Sequence, residues 1–196
     1  MPAPPPDSDE TLALEAQAGS RVAFEQLVER FGERVLVVLE RRVGDHHAAL
    51  DLTQDAWVRV FRALPRYAKG HSFRSWLFSI VLNGARDERR RQQRSRLEYV
   101  DLQANPDATA PKAKSQASQD ETRSIERALQ TVAEPFRTAL ILVDIEGLSY
   151  EECGTALKIA TGTAKSRVYR GRRAFQEAYL RPKHGATPPM RIKLQP

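Results

Sequence analysis

The chain has 196 residues, with 31 Lys and Arg against 25 Asp and Glu, a net charge of +6. That length fits one or two small domains, and the cationic excess favours a nucleic acid or another anionic surface as partner. Cys153 is the only cysteine, which excludes an internal disulfide and a paired-cysteine zinc site, and no apolar run approaches the ~20 residues that span a bilayer.

Residues 1–8 are Pro-rich and read as a disordered tail. The opening MPAPPPDSDE lacks the basic and apolar regions of a signal peptide, so a reducing, cytoplasmic location is expected. Gly19-Ser20 reads as a stop followed by an N-cap. Beyond it Phe24, Leu27, Val28, Phe31, Val35, Val38 and Leu39 recur at steps of three and four, one face of a long helix. Asp45 is placed to cap a third helix, from about His47 to Leu64, closed by Pro65. His46 and His47 are adjacent, so they do not share a helix face, which favours loop or cap roles over a metal. A fourth helix is expected from about Ser72 to Arg96, with Phe73, Trp76, Leu77, Ile80, Val81 and Gly84 at helical spacing.

This fourth helix ends strongly basic. From Asn83 to Arg96 there are six arginines against Asp87 and Glu88, and Tyr67, Phe73 and Trp76 precede them among Lys69, His71 and Arg74. A cationic helix with aromatics is the chemistry that holds single-stranded nucleic acid, bases on rings and phosphates on arginines. Phe73 and Trp76 share the apolar stripe and serve equally well as core. Tyr67, in the loop from Pro65 to Ser72, is the ring expected to face solvent.

Residues 103–124 contain no Ile, Leu, Val, Met, Phe, Tyr or Trp, and such a segment of 22 residues cannot bury enough apolar surface to order itself. A flexible linker is expected there, averaging about 25 Å end to end. Apolar periodicity returns at Ile125, Leu129 and Val132, then Phe136, Leu140, Ile141 and Val143. The last 15 residues, from Pro182, hold four prolines and read as a tail. The expected class is all-α: two small helical domains joined by a flexible linker. The expected segments are a tail over 1–8, a first domain over 9–96, a linker over 97–121, a second domain over 122–181 and a tail over 182–196.

The stretch from Gly147 to Arg173 is the richest in chemistry. Ser149 followed by Glu152 predicts a capping box for a helix from Tyr150 to about Leu157. Thr161 or Thr163 is expected to cap a second helix starting near Gly162. Between Asp120 and Glu152 there are eight acids and three basic residues, whereas Thr161 to Arg173 holds five cations and no acid. That sign change at helix-turn-helix spacing points to duplex DNA read in the major groove. Lys165, Ser166, Tyr169 and Arg170 fall near the exposed N-terminal side; Ala164, Val168 and Phe175 fall inward. Arg and Lys pair best with guanine acceptors, and the remaining cations suit phosphates.

Four motifs in order carry a family resemblance. AFEQLVERF, LDLTQDAWVRVFRAL, SFRSWLFSIVLNGARDERRR and EGLSYEECGTALKIATGTAKSRVYRGRRAF together resemble the extracytoplasmic-function sigma factors, group 4 of the sigma-70 family, over roughly residues 10–181. The resemblance implies a subunit that binds core RNA polymerase and directs transcription initiation at stress-response promoters. It implies that Leu50, Asp51, Gln54, Asp55, Trp57 and Phe61 grip the β′ clamp helices, with the β subunit as a further contact. It implies capture of the melted −10 strand by Tyr67, Lys69, Gly70, His71, Ser72, Trp76, Asn83, Asp87 and Arg90. It implies −35 duplex reading by Thr163, Lys165, Ser166, Arg167, Tyr169, Arg170 and Arg173. Promoter DNA and an anti-sigma factor are the other implied partners, with no direct membrane insertion, no cofactor, no metal and no catalytic residue. Lys158 stands where the family's turn often has Gly, and a left-handed residue there strains any other side chain. Cys153 and Gly154 replace a commoner branched or aliphatic residue and Ala.

Two other readings compete. An autonomous helix-turn-helix regulator would use the same C-terminal motif but leaves the basic helix at 83–96 and the LDLTQD segment unexplained. A nucleic-acid-processing enzyme would need a metal-ligand spacing, a P-loop or a nucleophile–base pair, and the sequence offers none.

Overall fold

The computed structural model describes residues 8–84 and 116–181, with the backbone alone over 116–120. All regular elements among these residues are helical, as the periodicity predicts. The N-terminal half consists of α1 (Asp9–Gln17), α2 (Arg21–Val43), α3 (His46–Ala63), a 3-10 turn (Leu64–Arg66) and α4, described over 73–84. The C-terminal half consists of α5 (Gln116–Thr131), α6 (Glu134–Leu140) continuing into a π-helical turn (Ile141–Ile145), α7 (Tyr150–Leu157) and α8 (Thr161–Tyr179).

Side-chain caps set the helix starts in the N-terminal half. Ser20 accepts from the Ala23 N–H at the start of α2, and Asp45 accepts from the Ala48 N–H at 2.7 Å at the start of α3, both as expected. Each such cap stabilises its helix by about 1 kcal/mol. Gly44, at φ 79°, ends α2 in a left-handed conformation that suits glycine. The apolar stripe of α2 (Leu27, Phe31, Val35, Val38, Leu39) is buried against Ala49, Ala56 and Val60 of α3 and Phe73, Leu77, Phe78 and Val81 of α4. Burying one such Phe or Leu contributes about 1.5–3 kcal/mol.

In the C-terminal half α8 packs on α5, α6 and α7. Leu140, Ile141, Leu142, Leu148, Cys153, Ala164 and Val168 fill its core. Two expectations are corrected here. Helix α5 begins at Gln116, inside the segment 97–121 expected to be linker. Its first turns carry Gln, Ala and Glu, good helix formers, and extend a helix already anchored by buried Ala128 and Leu129; propagation from a packed end needs no new nucleus. Helix α8 starts at Thr161, and neither Thr161 nor Thr163 caps it: the N-cap is Ala160, which offers no side-chain acceptor.

The two halves touch. Arg34 of α2 donates from Nε to the Glu146 carboxylate at 2.8 Å, and Arg42 donates to the Glu134 carboxylate at 2.9 Å. Gln130 of α5 donates to the Arg41 carbonyl at 2.8 Å, and Arg74 of α4 donates to the Glu146 carbonyl. The acidic block before α7 therefore meets cations of the N-terminal half.

Candidate nucleic-acid interface

Helix α7, a tight turn and α8 form the helix-turn-helix. The capping box is complete: the Glu152 N–H donates to Ser149 Oγ at 3.1 Å, and the Ser149 N–H donates to Glu152 Oε2 at 2.8 Å. Lys158 ends α7 at φ 55°, the left-handed turn conformation that the family's glycine would take without strain. Gly154 has a clear purpose at this turn. A Cβ built on it would stand 2.9 Å from the Ile159 carbonyl oxygen, so the chain after α7 folds back against a bare α-carbon. Neighbouring Cys153 is buried, and burial pushes its thiol up to about 11, with the Arg167 charge pulling the other way.

On α8, Ala164 and Val168 are buried and Phe175 is partly buried, the expected inward face. Thr163, Lys165, Ser166, Tyr169, Arg170 and Arg173 are exposed, Tyr169 at 66%, and Arg167 is half-buried. Two of the exposed cations have aromatic supports: Lys165 Nζ lies 5.8 Å from the Tyr150 ring, and the Arg170 guanidinium lies 5.8 Å from the Phe136 ring. The rings bias these flexible side chains without satisfying their hydrogen bonds, which leaves the donors for acceptors outside the chain. Ser166 donates to the Thr163 carbonyl at 2.9 Å, and Arg173 pairs with Glu177 at 3.3 Å. Arg172, which the sequence places among the cations of this helix, serves the fold instead. It forms a forked pair with both Asp144 oxygens at 2.6 and 2.9 Å, and this pairing pushes its pKa up, against the pull of burial.

The second candidate region is the loop from 67 to 72 with α4. The expectation for Tyr67 is corrected: it is 3% exposed, packed edge-on against Phe73 at 5.9 Å and Trp76 at 5.2 Å, with its hydroxyl donating to the His71 carbonyl at 2.5 Å. Burial, together with nearby Glu10 and Asp9, pushes the phenol up to about 12. Tyr67 shapes the loop from within. Lys69, Gly70 and His71 are exposed, and Gly70 sits at φ 91° with open space around it. Ser72, Trp76 and Asn83 are half-buried, and Phe73 is fully buried. Asp87 and Arg90 lie outside the described residues. Two residues that the pattern gave no reason to single out hold the loop. Gln17 donates from one amide nitrogen to the carbonyls of Leu64, Pro65 and Tyr67, and Glu10 accepts from the Phe73 N–H.

The third region is the outer face of α3. Asp51, Gln54 and Asp55 are exposed, Leu50 is 37% exposed, and Phe61 is 62% exposed although large and apolar. Trp57 is half-buried, edge-on to Phe24 at 6.0 Å, and Phe24 in turn meets Phe61 at 5.3 Å. Ala56 and Val60 hold the core side; Leu52 and Ala63 are half-buried. A large exposed aromatic on a helix whose other side is buried has the character of a protein-docking face.

Comparison with known proteins decides what these regions belong to. Residues 27–95 match Sigma-70 region 2, and residues 122–175 match Sigma-70 region 4. The chain belongs to the extracytoplasmic-function sigma factors of the sigma-70 family. This sigma factor is 34% identical to the ECF RNA polymerase sigma factor SigE of Mycolicibacterium smegmatis, over 88% of its own length and 69% of the relative's. It is 37% identical to the RNA polymerase sigma factor CarQ of Myxococcus xanthus, over 81% of its length and 90% of the relative's. Among solved structures it is similar to CnrH in complex with the cytosolic domain of CnrY, with a TM-score of 0.65, 27% identity, and coverage of 87% of this chain and 96% of that one. The sigma factor directs transcription initiation, and its family is a non-catalytic one.

Proposed function

We propose that this sigma factor divides its labour among the three regions described above. The α8 face of Lys165, Tyr169 and Arg170, with Thr163, Ser166, Arg167 and Arg173 around it, reads the −35 duplex. The loop at 69–72 with Trp76, Asn83, Asp87 and Arg90 captures the melted −10 strand, on a scaffold that Tyr67 props from below. Leu50, Asp51, Gln54, Asp55, Trp57 and Phe61 grip the β′ clamp helices of core polymerase, with the β subunit as a further contact. The working units are residues 9–96 and a C-terminal domain to 181 that starts with α5 at Gln116, earlier than the expected 122. The chain works in the cytoplasm and performs no chemistry of its own. An anti-sigma factor is expected to restrain it, since the sigma factor RpoE of Bartonella quintana was solved with the anti-sigma factor NepR.

One observation carries this reading: two exposed faces of different character on a single chain. The α8 surface offers cations and no free acid, and the α3 surface offers Asp51, Gln54 and Asp55 toward one end and a large exposed aromatic, Phe61, toward the other. Energy supports the need for polymerase. Opening ten base-pair steps costs roughly 14 kcal/mol. Stacking two flipped bases on aromatic side chains returns about 2–6 kcal/mol. The sigma factor alone falls short, and core polymerase supplies the difference together with all the nucleotide chemistry.

A gel-shift assay on a promoter mapped by transcript 5′ ends tests the reading. Specific retardation is expected with core polymerase present and only weak binding without it. Tight, specific retardation by the free protein, unaltered by polymerase, would contradict it.

A further inference from the structure

Helix α1 carries none of the residues assigned to DNA or to polymerase, yet it holds both ends of the −10 loop. Gln17, at its C-terminal end, turns its amide nitrogen to three backbone carbonyls: Leu64 at 3.1 Å, Pro65 at 3.2 Å and Tyr67 at 2.8 Å. Nε2 has two hydrogens for these three acceptors, so both are engaged there. Glu10, in the first turn, accepts from the Phe73 N–H at 3.2 Å. That N–H is one of the donors which the start of a helix leaves without an intrahelical partner. Gln17 thus fixes the backbone where it enters the loop, and Glu10 fixes it where it leaves into α4.

Glu10 and Gln17 stand seven residues apart, two helical turns, so they share a face of α1. Ala13 lies between them on that face and is fully buried. The helix is itself anchored: Ser8 caps it by accepting from the Thr11 N–H at 3.1 Å, and Asp9 pairs with Arg30 of α2 at 3.2 Å. Inside the loop the bonds are fewer. The His71 N–H reaches the Ala68 carbonyl at 3.4 Å, a long bond, and the Tyr67 hydroxyl donates to the His71 carbonyl. Lys69, Gly70 and His71 are exposed, and Gly70, at φ 91°, has open space around it. Where these three residues stand therefore follows from where α1 holds the two ends.

We propose that α1 is a splint that sets base choice at the −10 element, with Gln17 and Glu10 as positioning residues that touch no DNA themselves. A loop held at both ends presents one arrangement of Lys69, His71 and backbone groups to a captured base. A fixed arrangement discriminates between bases, whereas a loose loop re-packs around several. The proposal rests on the assignment of the 69–72 loop to the −10 strand.

Holoenzyme assembled from core polymerase and the full-length chain is titrated with two short single strands. One is the −10 non-template strand of a transcript-mapped promoter; the other is the same strand with one −10 base changed. The ratio of the two affinities is the readout, because a weakened fold would lower both alike. Gln17→Met keeps the side chain's length and removes its donors, and the ratio should fall about fivefold, the worth of about one hydrogen bond. Glu10→Ala should lower the ratio too, while Glu10→Gln, which keeps an acceptor oxygen, should leave it unchanged. Capture of core polymerase should stay within about twofold for all three variants. Equal loss on both strands, or a ratio unchanged in Gln17→Met and Glu10→Ala, would overturn the splint. Lys69→Ala with His71→Ala separates the two claims. If that pair leaves the ratio unchanged, the assignment of the loop falls and the splint with it. If the pair collapses the ratio while Gln17→Met and Glu10→Ala do not, the splint alone falls.

Discussion

Gly171 of α8 lies against the Phe136 carbonyl of α6 so closely that a Cβ on Gly171 would stand 2.8 Å from that oxygen and 3.3 Å from Leu140 Cβ. The obstruction is backbone and cannot swing aside. Together with the Arg172–Asp144 fork, this contact fixes how far along α6 helix α8 sits.

Gly171→Ala tests that fixation. Alanine favours a helix by about 1 kcal/mol over glycine, but overpacking a tight contact costs about 1–3 kcal/mol. The net expectation is a lower urea midpoint and weaker −35 duplex binding. An unchanged midpoint would show that α6 and α8 are free to move apart.

Lys158 gives the opposite sign. At φ 55° a non-glycine residue is strained by about 1 kcal/mol. Lys158→Gly should therefore raise stability by up to about that amount with −35 recognition intact. A loss of stability in urea titration would mean the Lys158 side chain contributes more than its backbone costs.

Much of this fold was legible in the sequence, for reasons that differ by element. The α2 stripe, the Ser20 and Asp45 caps and the Ser149–Glu152 box are local patterns, and local physics determined them. The start of α5 at Gln116 was not legible, because helix there is propagated from packing at Ala128 and Leu129 rather than called for by its own residues. Tyr67 misleads for a related cause. A tyrosine in a loop rich in Lys, Gly and His reads as exposed, yet Phe73 and Trp76 come round on α4 to bury it, and Gln17, 50 residues away in sequence, pins the loop backbone. The acidic block before α7 reads as simple contrast to α8. Its partners, Arg34 and Arg42, are about a hundred residues distant and form no pattern with it.

Glu152 makes the fold sensitive to acid. Burial alone would raise its pKa, but hydrogen bonds from Ser72 and Ser149, and the Arg74 charge, bring it below the ordinary carboxylate value of 4.5. A depressed folded-state pKa contributes stability that is present above the unfolded value and lost as pH falls through the folded one. Unfolding midpoints measured below pH 4.5 should therefore fall, and Glu152→Gln should flatten that fall. An identical acid profile in the variant would remove Glu152 from the account.

Cys153 should be inert in the native protein. Burial pushes its thiol up to about 11, so little thiolate exists near neutral pH. Iodoacetamide should label it slowly at pH 8 and rapidly in urea. Fast native labelling would mean that the helix-turn-helix core opens readily.

The most direct measurement is run-off transcription from a transcript-mapped promoter with core polymerase and purified protein. The unmutated protein should give one specific start. Asp51→Ala with Gln54→Ala should lose transcript and polymerase pull-down together while the fold is retained. Arg170→Ala should keep polymerase binding but relax −35 discrimination by about 1–3 kcal/mol if its contact is a forked one to guanine. Full transcription by the Asp51/Gln54 variant, or unaltered promoter choice by Arg170→Ala, would contradict the assignment of these faces.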